Sequence, residues 1–391
     1  MNLLPLLISC LQILPSLTNP NEDMCPREIP IHLTKKQREQ LQQDFMAMLG
    51  VSKRPSFNPE IINRSSSKFL LDVYKFLKQE VTSKRVKRAA LYFGEEILNK
   101  VQTSDLIVSL NILKLTSKGK YHKLAFPLKN FPESESLIDA ELRLYQEEST
   151  QYYGSRSMYK ISLYTPIETK SGPIKLKKVG EKLTTAEYVG WLSIDISYLF
   201  RLWLKSGRSL EEIYLSVSPY ASSQKDEGSH FTSLETLGLI LQSSTSQNLP
   251  YIISFLKNDN KLFQINLRPP RDTSGFEMFE FMEDLEADTG CSMYPYKISF
   301  RELMWDDFII APAGYTSAFC RGRCSFPLKR PISATNHALV QSLVFLKNEE
   351  DVPEPVCAAK QLDPLNILYK DEEYTILKKY RDMVVTECAC Q

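Results

Sequence analysis

The chain has 391 residues and carries 48 Lys and Arg against 47 Asp and Glu, so its formal net charge is +1. A near-neutral charge argues against a nucleic-acid-binding protein, and the length with 43% hydrophobic residues allows two domains with real cores. The four histidines form no H-E-x-x-H motif, and neither G-x-S-x-G nor a glycine-rich phosphate loop occurs. The sequence therefore shows no visible catalytic machinery and implies no cofactor.

The amino terminus has the pattern of an export signal. Residues 3–17 are mainly apolar, too few to cross a bilayer, and interrupted by Pro5 and Pro15. The small-x-small triplet at 16–18 is typical of a signal-peptide cleavage site. We therefore predict a signal peptide over residues 1–18 and a secreted, extracellular product without membrane insertion. Its cysteines are then oxidised by default.

Two amphipathic helices are predicted next. Apolar residues recur at helical spacing over 32–51 and 66–81, and Pro55 and Pro59 prevent a helix between them. This arrangement indicates a segment that wraps around something else. An ordinary helical hairpin within one domain explains the same periodicity, and the sequence does not decide between the two. Asn63 lies in an N-R-S glycosylation sequon at the polar start of the second helix.

From residue 106 to about residue 267 the pattern changes to short alternating runs separated by turn residues, which predicts an antiparallel β sandwich. A short helix is predicted inside it over residues 198–205. The predicted strands cover residues 106–113, 125–128, 140–145, 160–164, 191–194, 212–217 and 252–256.

Two basic motifs match the cleavage pattern of secretory-pathway convertases. Arg85 and Arg88 bound the stronger match, R-V-K-R, although a basic helix end that favours the helix dipole explains it equally well. Arg268 and Arg271 bound R-P-P-R, a poor match because of its second proline and the aspartate that follows. Only cleavage at the later motif frees the carboxy-terminal cysteines as one unit.

Six cysteines lie in the last 101 residues: Cys291, Cys320, Cys324, Cys357, Cys388 and Cys390. The runs C-R-G-R-C and C-A-C are short segments that two disulfides can close into a ring, through which a third can pass. Gly322 suits such a ring because it has no Cβ. The alternative is a thiolate metal site, which the oxidising compartment disfavours. Cys25 is left over, and we expect it to link two amino-terminal parts, to tether a matrix partner or to stay free.

Long motifs follow Phe300: F-R-E-L-x-W-D-D-F-I-I-A-P-A-G-Y at 300–315, C-R-G-R-C-S-F-P-L at 320–328, A-T-N-H-A-L-V-Q-S-L-V at 334–344 and I-L-K-K-Y-R-D-M-V-V-T-E-C-A-C at 376–390. They resemble the transforming growth factor β superfamily, most closely bone morphogenetic proteins of the 60A and 5-to-8 type. S-S-K-F-L-L-D-V-Y at 66–74 and G-W-L-S-I-D-I at 190–196 resemble the prodomain of that family.

The resemblance implies a prodomain over residues 19–271 and a mature ligand over residues 272–391, here called the knot segment. The prodomain is expected to be α+β, with latency-type helices over 32–81 and a sandwich arm over 89–267. The knot segment is expected to be a small all-β cystine-knot growth factor with one helix.

The resemblance also implies the disulfide pairs Cys291–Cys357, Cys320–Cys388 and Cys324–Cys390. Val356 stands where most members have the cysteine that joins two protomers, so any dimer must be non-covalent. At nanomolar concentration such a dimer needs about 12 kcal/mol of association free energy. The helix 334–347, which docks on the partner in the family, offers an apolar face with Leu339, Val340, Leu343 and Leu346.

The resemblance also implies receptor-binding positions, which are carried over from the family by matching residues. The type I receptor site is expected to contain Trp305, Phe308, Phe326, Pro327, Leu328 and His337, where exposed aromatics act as anchors. The type II receptor site is expected to contain Ala311, Pro312, Leu365, Asn366, Ile367 and Leu368. Without the resemblance, packing into a core would explain these aromatics better.

The resemblance implies a secreted ligand that brings type I and type II serine/threonine kinase receptors together as a homo- or heterodimer. Its own prodomain and secreted antagonists are further expected partners. Residues 272–289 carry seven acidic and no basic residues, so we expect the knot segment to be repelled by sulfated glycans. A secreted antagonist that acts without clustering receptors is the first alternative, and a secreted metal-binding or catalytic domain is the second.

Overall fold

The structure is a computed structural model. It describes residues 35–49, 54, 64–78, 94–132, 136–148, 158–167, 175–220, 234–242, 248–257, 290–327, 333–348, 352–371 and 374–391. Several predicted features lie outside these residues: the signal peptide, Cys25, Asn63, Arg85, Arg88, Arg268, Arg271, Leu328 and the acidic residues 272–289.

Six helices are described: α1 Lys35–Leu49, α2 Ser65–Lys78, α3 Glu95–Thr103, α4 Ser197–Ser206, α5 Leu234–Leu237 and α6 Asn336–Lys347. Ten described strands precede the knot segment: β1 Leu106–Asn111, β2 Lys114–Lys118, β3 Tyr121–Pro127, β4 Ser136–Gln146, β5 Met158–Ile167, β6 Lys175–Thr185, β7 Gly190–Asp195, β8 Leu210–Pro219, β9 Leu239–Ile240 and β10 Tyr251–Lys257. The described knot segment contains β11 Ser292–Ser299, β12 Ile309–Ala311, β13 Gly314–Arg321, β14 Ser333–Ala334, β15 Cys357–Asp371 and β16 Tyr374–Cys390.

The amino-terminal strands form two packed layers. One layer is a five-stranded antiparallel sheet in the order β2-β3-β8-β5-β6. The other belongs to a nine-stranded sheet whose main path is β12-β15-β16-β1-β10-β4-β7. Alternate apolar side chains of the two layers, including Leu124, Phe126, Ile161 and Leu142, are fully buried in one core. The predicted antiparallel sandwich and short helix are therefore confirmed.

The nine-stranded sheet runs through both halves of the chain. Strand β1 pairs with β10 on one side and with β16 on the other, from Leu106 opposite Lys378 to Leu110 opposite Tyr374. The expected sandwich and knot segment therefore share one sheet, because one edge of the long β15–β16 hairpin is completed by an amino-terminal strand.

A buried ionic cluster holds α3 on the sandwich. The Nζ atom of Lys100 lies 2.7 Å from a carboxylate oxygen of Glu96 and 2.7 Å from one of Glu141, and it also pairs with Asp139. Arg143 pairs with the second oxygen of Glu141. Burial alone would raise the pKa of Glu141, but the surrounding Arg143, Lys100 and Ser193 hold it below its ordinary value.

Candidate functional site

The knot segment is built around three disulfides. They join Cys291 to Cys357, Cys320 to Cys388 and Cys324 to Cys390, with Cα atoms 5.3, 5.6 and 5.8 Å apart. The last two bridges close a ring, and the Sγ atoms of Cys291, Cys324 and Cys390 lie within 4.8 Å of one another. Gly322 in the ring has φ of 125°, a conformation that glycine tolerates. These are the pairs that the resemblance implies.

The same sulfur cluster is the place where a metal site would have to form. A thiolate is the form of cysteine that binds a metal, and here each sulfur is bonded to another sulfur. The cluster therefore acts as a covalent core that replaces the apolar core such a flat segment lacks.

Two antiparallel hairpins extend from this knot. Strands β11 and β13 pair from Ser292 opposite Arg321 to Ser299 opposite Gly314, and β15 pairs with β16 along nearly its whole length. Gly314 allows the first hairpin to close tightly, because an added Cβ would lie 2.2 Å from the carbonyl oxygen of Ile298. The first hairpin with its connecting loop contains Trp305, Phe308, Ala311 and Pro312, and β15 contains residues 365–368, whereas Phe326, Pro327 and His337 lie between the two hairpins.

Helix α6 presents an unpaired apolar face. Thr335 caps its start, since the Thr335 hydroxyl oxygen accepts a hydrogen bond from the Ala338 backbone N–H at 3.1 Å. Ala338 and Ser342 are buried towards the knot. Val340 and Leu343 are 60% and 54% exposed, and Leu339 and Leu346 are exposed beside them. These are the four residues carried over as a dimer surface, and within the described part of the chain they remain exposed.

Val356 lies just before Cys357 and is 64% exposed. Its backbone is fixed, because its N–H and carbonyl exchange two hydrogen bonds of 2.9 Å with Gln391. The exposed Val356 side chain therefore stands on a rigid strand start beside the knot.

The type I positions Trp305 and Phe308 are not exposed in this chain. Trp305 is 4% exposed, and the ring of Phe45 from α1 stacks on it with centroids 3.8 Å apart and planes inclined by 11°. Phe308 is packed in the main core. The expectation of exposed anchors is therefore wrong for the full chain, because α1 covers Trp305 and Phe308 is buried in the main core. The other described members, Phe326, Pro327 and His337, are exposed.

An aromatic stack continues beneath Trp305. Phe300 lies 6.1 Å from Trp305 and 6.0 Å from Tyr315, measured between ring centroids. Burial, with a smaller contribution from Tyr296, raises the pKa of Tyr315 to about 12. Tyr315 is therefore neutral at extracellular pH, and the stack buries no charge.

Arg54 fastens the same region by polar contacts. Its guanidinium pairs with the Asp307 carboxylate at 2.7 Å and donates a hydrogen bond to the Met304 carbonyl oxygen at 2.6 Å. Helix α1 and Arg54 thus both contact the loop that holds Trp305. The predicted wrapping segment agrees with these contacts.

The type II positions do not share one surface. Ile367 packs in the main core, whereas Leu368 and Ala311 pack in a second cluster with Leu70 and Val73 of α2. Residues that follow one another in a strand point to opposite faces, so the run Leu365, Asn366, Ile367 and Leu368 cannot form a single exposed patch. Pro312 is buried, while Leu365 and Asn366 are half-buried.

Helix α2 covers the Leu368 face by apolar and polar contacts. Its buried residues Leu70, Val73 and Tyr74 recur at helical spacing and face the sheet. The Ser67 hydroxyl lies 2.9 Å from the Thr375 hydroxyl in β16, and both residues are buried. This contact and the roles of Phe45 and Arg54 were not predicted from the sequence. Their helical periodicity was visible, but it did not identify the partner surface.

Together these observations define a class of protein: a cystine-knot ligand joined to an amino-terminal segment that covers part of the ligand's surface. Comparison with protein-family models gives two matches, the TGF-beta propeptide over residues 22–255 and the transforming growth factor beta like domain over residues 290–390. The chain belongs to the transforming growth factor β family.

Several relatives extend over nearly the whole chain. Protein 60A of Drosophila virilis is 28% identical over 396 residues, which cover 92% of this chain and 90% of that protein. Protein screw of Drosophila melanogaster is 28% identical and covers 93% of each chain. Human bone morphogenetic protein 8A is 26% identical over 94% of this chain and 92% of its own length. The resemblance to a 60A-type bone morphogenetic precursor is thereby confirmed.

Within the part of the chain that the structure describes, no helix is long and apolar enough to cross a membrane.

Proposed function

We propose that this chain is a secreted growth-factor precursor whose prodomain spans residues 19–271 and whose knot segment spans residues 272–391. The released knot segment acts as a non-covalent dimer that brings type I and type II serine/threonine kinase receptors together. Receptor clustering then activates Smad signalling, and bivalency raises the effective concentration at the cell surface.

The main support is the stacking of Phe45 on Trp305. Trp305 is the central aromatic of the carried-over type I site, and in the precursor a prodomain helix covers it. A receptor that needs this indole must displace α1 first. The prodomain therefore acts as an intramolecular competitor for the receptor, and separating the two parts switches the ligand on.

The exposed face of α6 supports the non-covalent dimer. Leu339, Val340, Leu343 and Leu346 form a contiguous apolar strip that would be costly to leave in water. A second knot segment that covers this strip would also complete the type I site, because by the family resemblance the stretch 326–337 of one protomer joins Trp305 and Phe308 of the other.

Val356 supports one alternative function, that of a secreted antagonist. Without an interprotomer disulfide, a weak dimer would dissociate at low concentration, and a monomer could occupy one receptor without clustering two. A receptor-clustering ligand would act as a dimer and raise Smad phosphorylation, whereas an antagonist would act as a monomer and lower it.

The test combines two measurements on the purified knot segment, released by a protease site placed at Arg271. Sedimentation at nanomolar concentration and Smad phosphorylation in responsive cells should give a dimer and a rise in phosphorylation. A monomer that blocks the response to another family ligand would favour the antagonist. A dimer that binds neither receptor ectodomain would refute the proposed function.

A further inference from the structure

A hydroxyl pair joins the prodomain to the knot segment. The Ser67 hydroxyl of α2 lies 2.9 Å from the Thr375 hydroxyl of β16, although 308 positions separate the two residues in the sequence. The Ser109 hydroxyl of β1 donates a hydrogen bond to the Thr375 carbonyl oxygen at 3.3 Å. The prodomain therefore contacts both the side chain and the main chain of Thr375 by polar groups.

The pair lies in an apolar environment. Thr375 and Ser109 are completely buried, and Ser67 is 2% exposed. Thr375 and Leu377 are two positions apart in β16, so they point to the same face of the sheet. On that face, Leu377 belongs to the same buried apolar cluster as Leu70 of α2. Because bulk water does not reach this place, each hydroxyl needs a partner within the protein.

Thr375 depends on the prodomain for this partner. In the part of the chain that the structure describes, the Oγ1 atom of Thr375 has the Ser67 hydroxyl as its hydrogen-bonding partner and no other. Ser67 takes part in a further interaction besides this pair. Thr375 is therefore the member of the pair that becomes unsatisfied when the hydroxyl opposite it is absent.

A buried hydroxyl discriminates between partners in a way that an apolar contact does not. An apolar surface accepts any apolar group of suitable size, whereas a buried donor or acceptor without a partner costs the full desolvation of that group. A prodomain with alanine at position 67 would present the same apolar cluster to β16, but it would leave the Thr375 hydroxyl unpaired. Selectivity then arises from the penalty for the mismatched partner, rather than from the strength of the matched pair.

We propose that Thr375 makes the knot segment selective for a prodomain that offers a hydroxyl at position 67. The partner recognised is the α2 helix of the same precursor, or that of a related precursor with a hydroxyl at this position. In a heterodimer of two related precursors, each knot segment would keep the prodomain that matches it. This inference rests on the proposed division into prodomain and knot segment, but it does not depend on receptor binding.

An exchange experiment on the cleaved precursor measures this selectivity. A protease site placed at Arg271 gives cleaved precursors with either the wild-type or the Ser67→Ala prodomain, and a mass tag distinguishes the two. Both prodomains compete for one knot segment until equilibrium, and mass spectrometry of the complexes gives the ratio of the two affinities. The wild-type knot segment should prefer the wild-type prodomain by at least about tenfold.

The Thr375→Val knot segment should lose this preference. Valine keeps the branched shape of threonine but has no hydroxyl to satisfy, so the two prodomains should bind it within about threefold of each other. Thr375→Ser keeps the hydroxyl, and its knot segment should again prefer the wild-type prodomain. Recovery by serine separates hydrogen bonding from a general effect of changing a buried side chain.

Ser66→Ala is the matched control. The Ser66 hydroxyl is buried, precedes Ser67 in α2 and donates a hydrogen bond at 2.6 Å to Asn111, which also belongs to the prodomain. This variant removes one buried hydroxyl from α2 as well, but the partner of that hydroxyl stays in the same part of the precursor. Its effect on affinity should be the same for the wild-type and the Thr375→Val knot segments.

The uncleaved chain measures the same pair without exchange. Urea unfolding of wild type, Ser67→Ala, Thr375→Val and the double variant forms a double-mutant cycle. Ser67→Ala should lower the urea midpoint, and adding Thr375→Val should restore most of it, because no Thr375 hydroxyl is then left unpaired. The proposal is overturned if both knot segments discriminate equally between the two prodomains, or if the two single losses add in the double variant. Neither readout involves a receptor, so this selectivity and the proposed signalling function fail independently.

Discussion

Phe45 lies flat on Trp305, although 259 positions separate them in the sequence. The contact joins a helix near the amino terminus to the hairpin region of the knot segment. Two planar rings at 3.8 Å exclude water from both faces that they share. Trp305 is thereby held inside the precursor, and this single contact gives the most direct test of autoinhibition.

Replacing Phe45 with alanine should expose Trp305. Loss of the stacked ring removes about 2 kcal/mol of stabilisation of the covered state, which corresponds to about a thirtyfold gain in apparent affinity for a type I receptor ectodomain. Surface plasmon resonance on the uncleaved precursor measures this affinity. Gln43→Ala, an exposed change in the same helix, is the control and should leave the affinity unchanged. Identical curves for the two variants would mean that α1 does not gate the site.

Replacing Val356 with cysteine should make the proposed dimer covalent. The side chain is exposed on a rigid strand start, and in the family this position bridges two protomers. In the released knot segment, which does not contain Cys25, Val356→Cys should run at twice the monomer mass on non-reducing electrophoresis and at monomer mass after reduction. Val356→Ser should stay at monomer mass under both conditions. If the Val356→Cys protein keeps a free thiol at micromolar concentration, the two-fold axis of the dimer does not lie close to residue 356.

A charge in the centre of the apolar α6 face should break the dimer. Leu343→Arg places a guanidinium where the proposed interface is dry, and the dimer dissociation constant should rise at least about a hundredfold. Sedimentation velocity of the knot segment measures the change. Leu343→Met keeps the apolar volume and should alter dimerisation by less than about 1.5 kcal/mol. The dimer model fails if the arginine variant still sediments as wild type.

The ionic cluster around Glu141 predicts acid sensitivity of the prodomain. Its folded-state pKa is depressed below the ordinary value of 4.5. Its contribution to stability is therefore present above that value and is lost as the pH falls through the folded-state pKa. The urea midpoint of wild type should therefore fall as the pH is lowered below 4.5.

Glu141→Gln removes this titration. The variant should be less stable by about 3 kcal/mol at neutral pH, because Arg143 and Lys100 lose a shared partner. Its midpoint should then change less with pH than that of wild type. Parallel pH curves would show that other carboxylates carry the acid sensitivity.

Local patterns were enough to predict much of the fold. Apolar spacing located α1, α2 and α4 within three residues at each end, and alternation located seven strands. Three of the ten described strands before the knot segment were missed. Strands β2 (K-L-T-S-K) and β6 (K-L-K-K-V-G-E-K-L-T-T) carry little apolar alternation, and β9 has only two residues. Helix α3 was missed as well. It is short, and Lys100 anchors it through a nonlocal cluster of charges.

The covered surfaces could not be predicted in the same way. Phe45 fits the apolar face of its own helix and Trp305 fits a core position in its own segment, so neither residue indicates a partner. Only the folded structure shows that the two rings are in contact. The pairing of β1 with β16 is nonlocal too, because an open strand edge accepts any strand of suitable length. The disulfide pairs rested on family likeness, since six cysteines allow fifteen connectivities.

The shared sheet has a consequence for how release proceeds in time. Cutting the peptide chain after Arg271 leaves the ladder between β1 and β16 in place, so a nicked precursor should persist as an intact particle. Parting the two pieces requires a whole row of main-chain bonds to open together. Release is then an abrupt event with a delay after cleavage, and that interval gives the cut molecule time to travel before it becomes active.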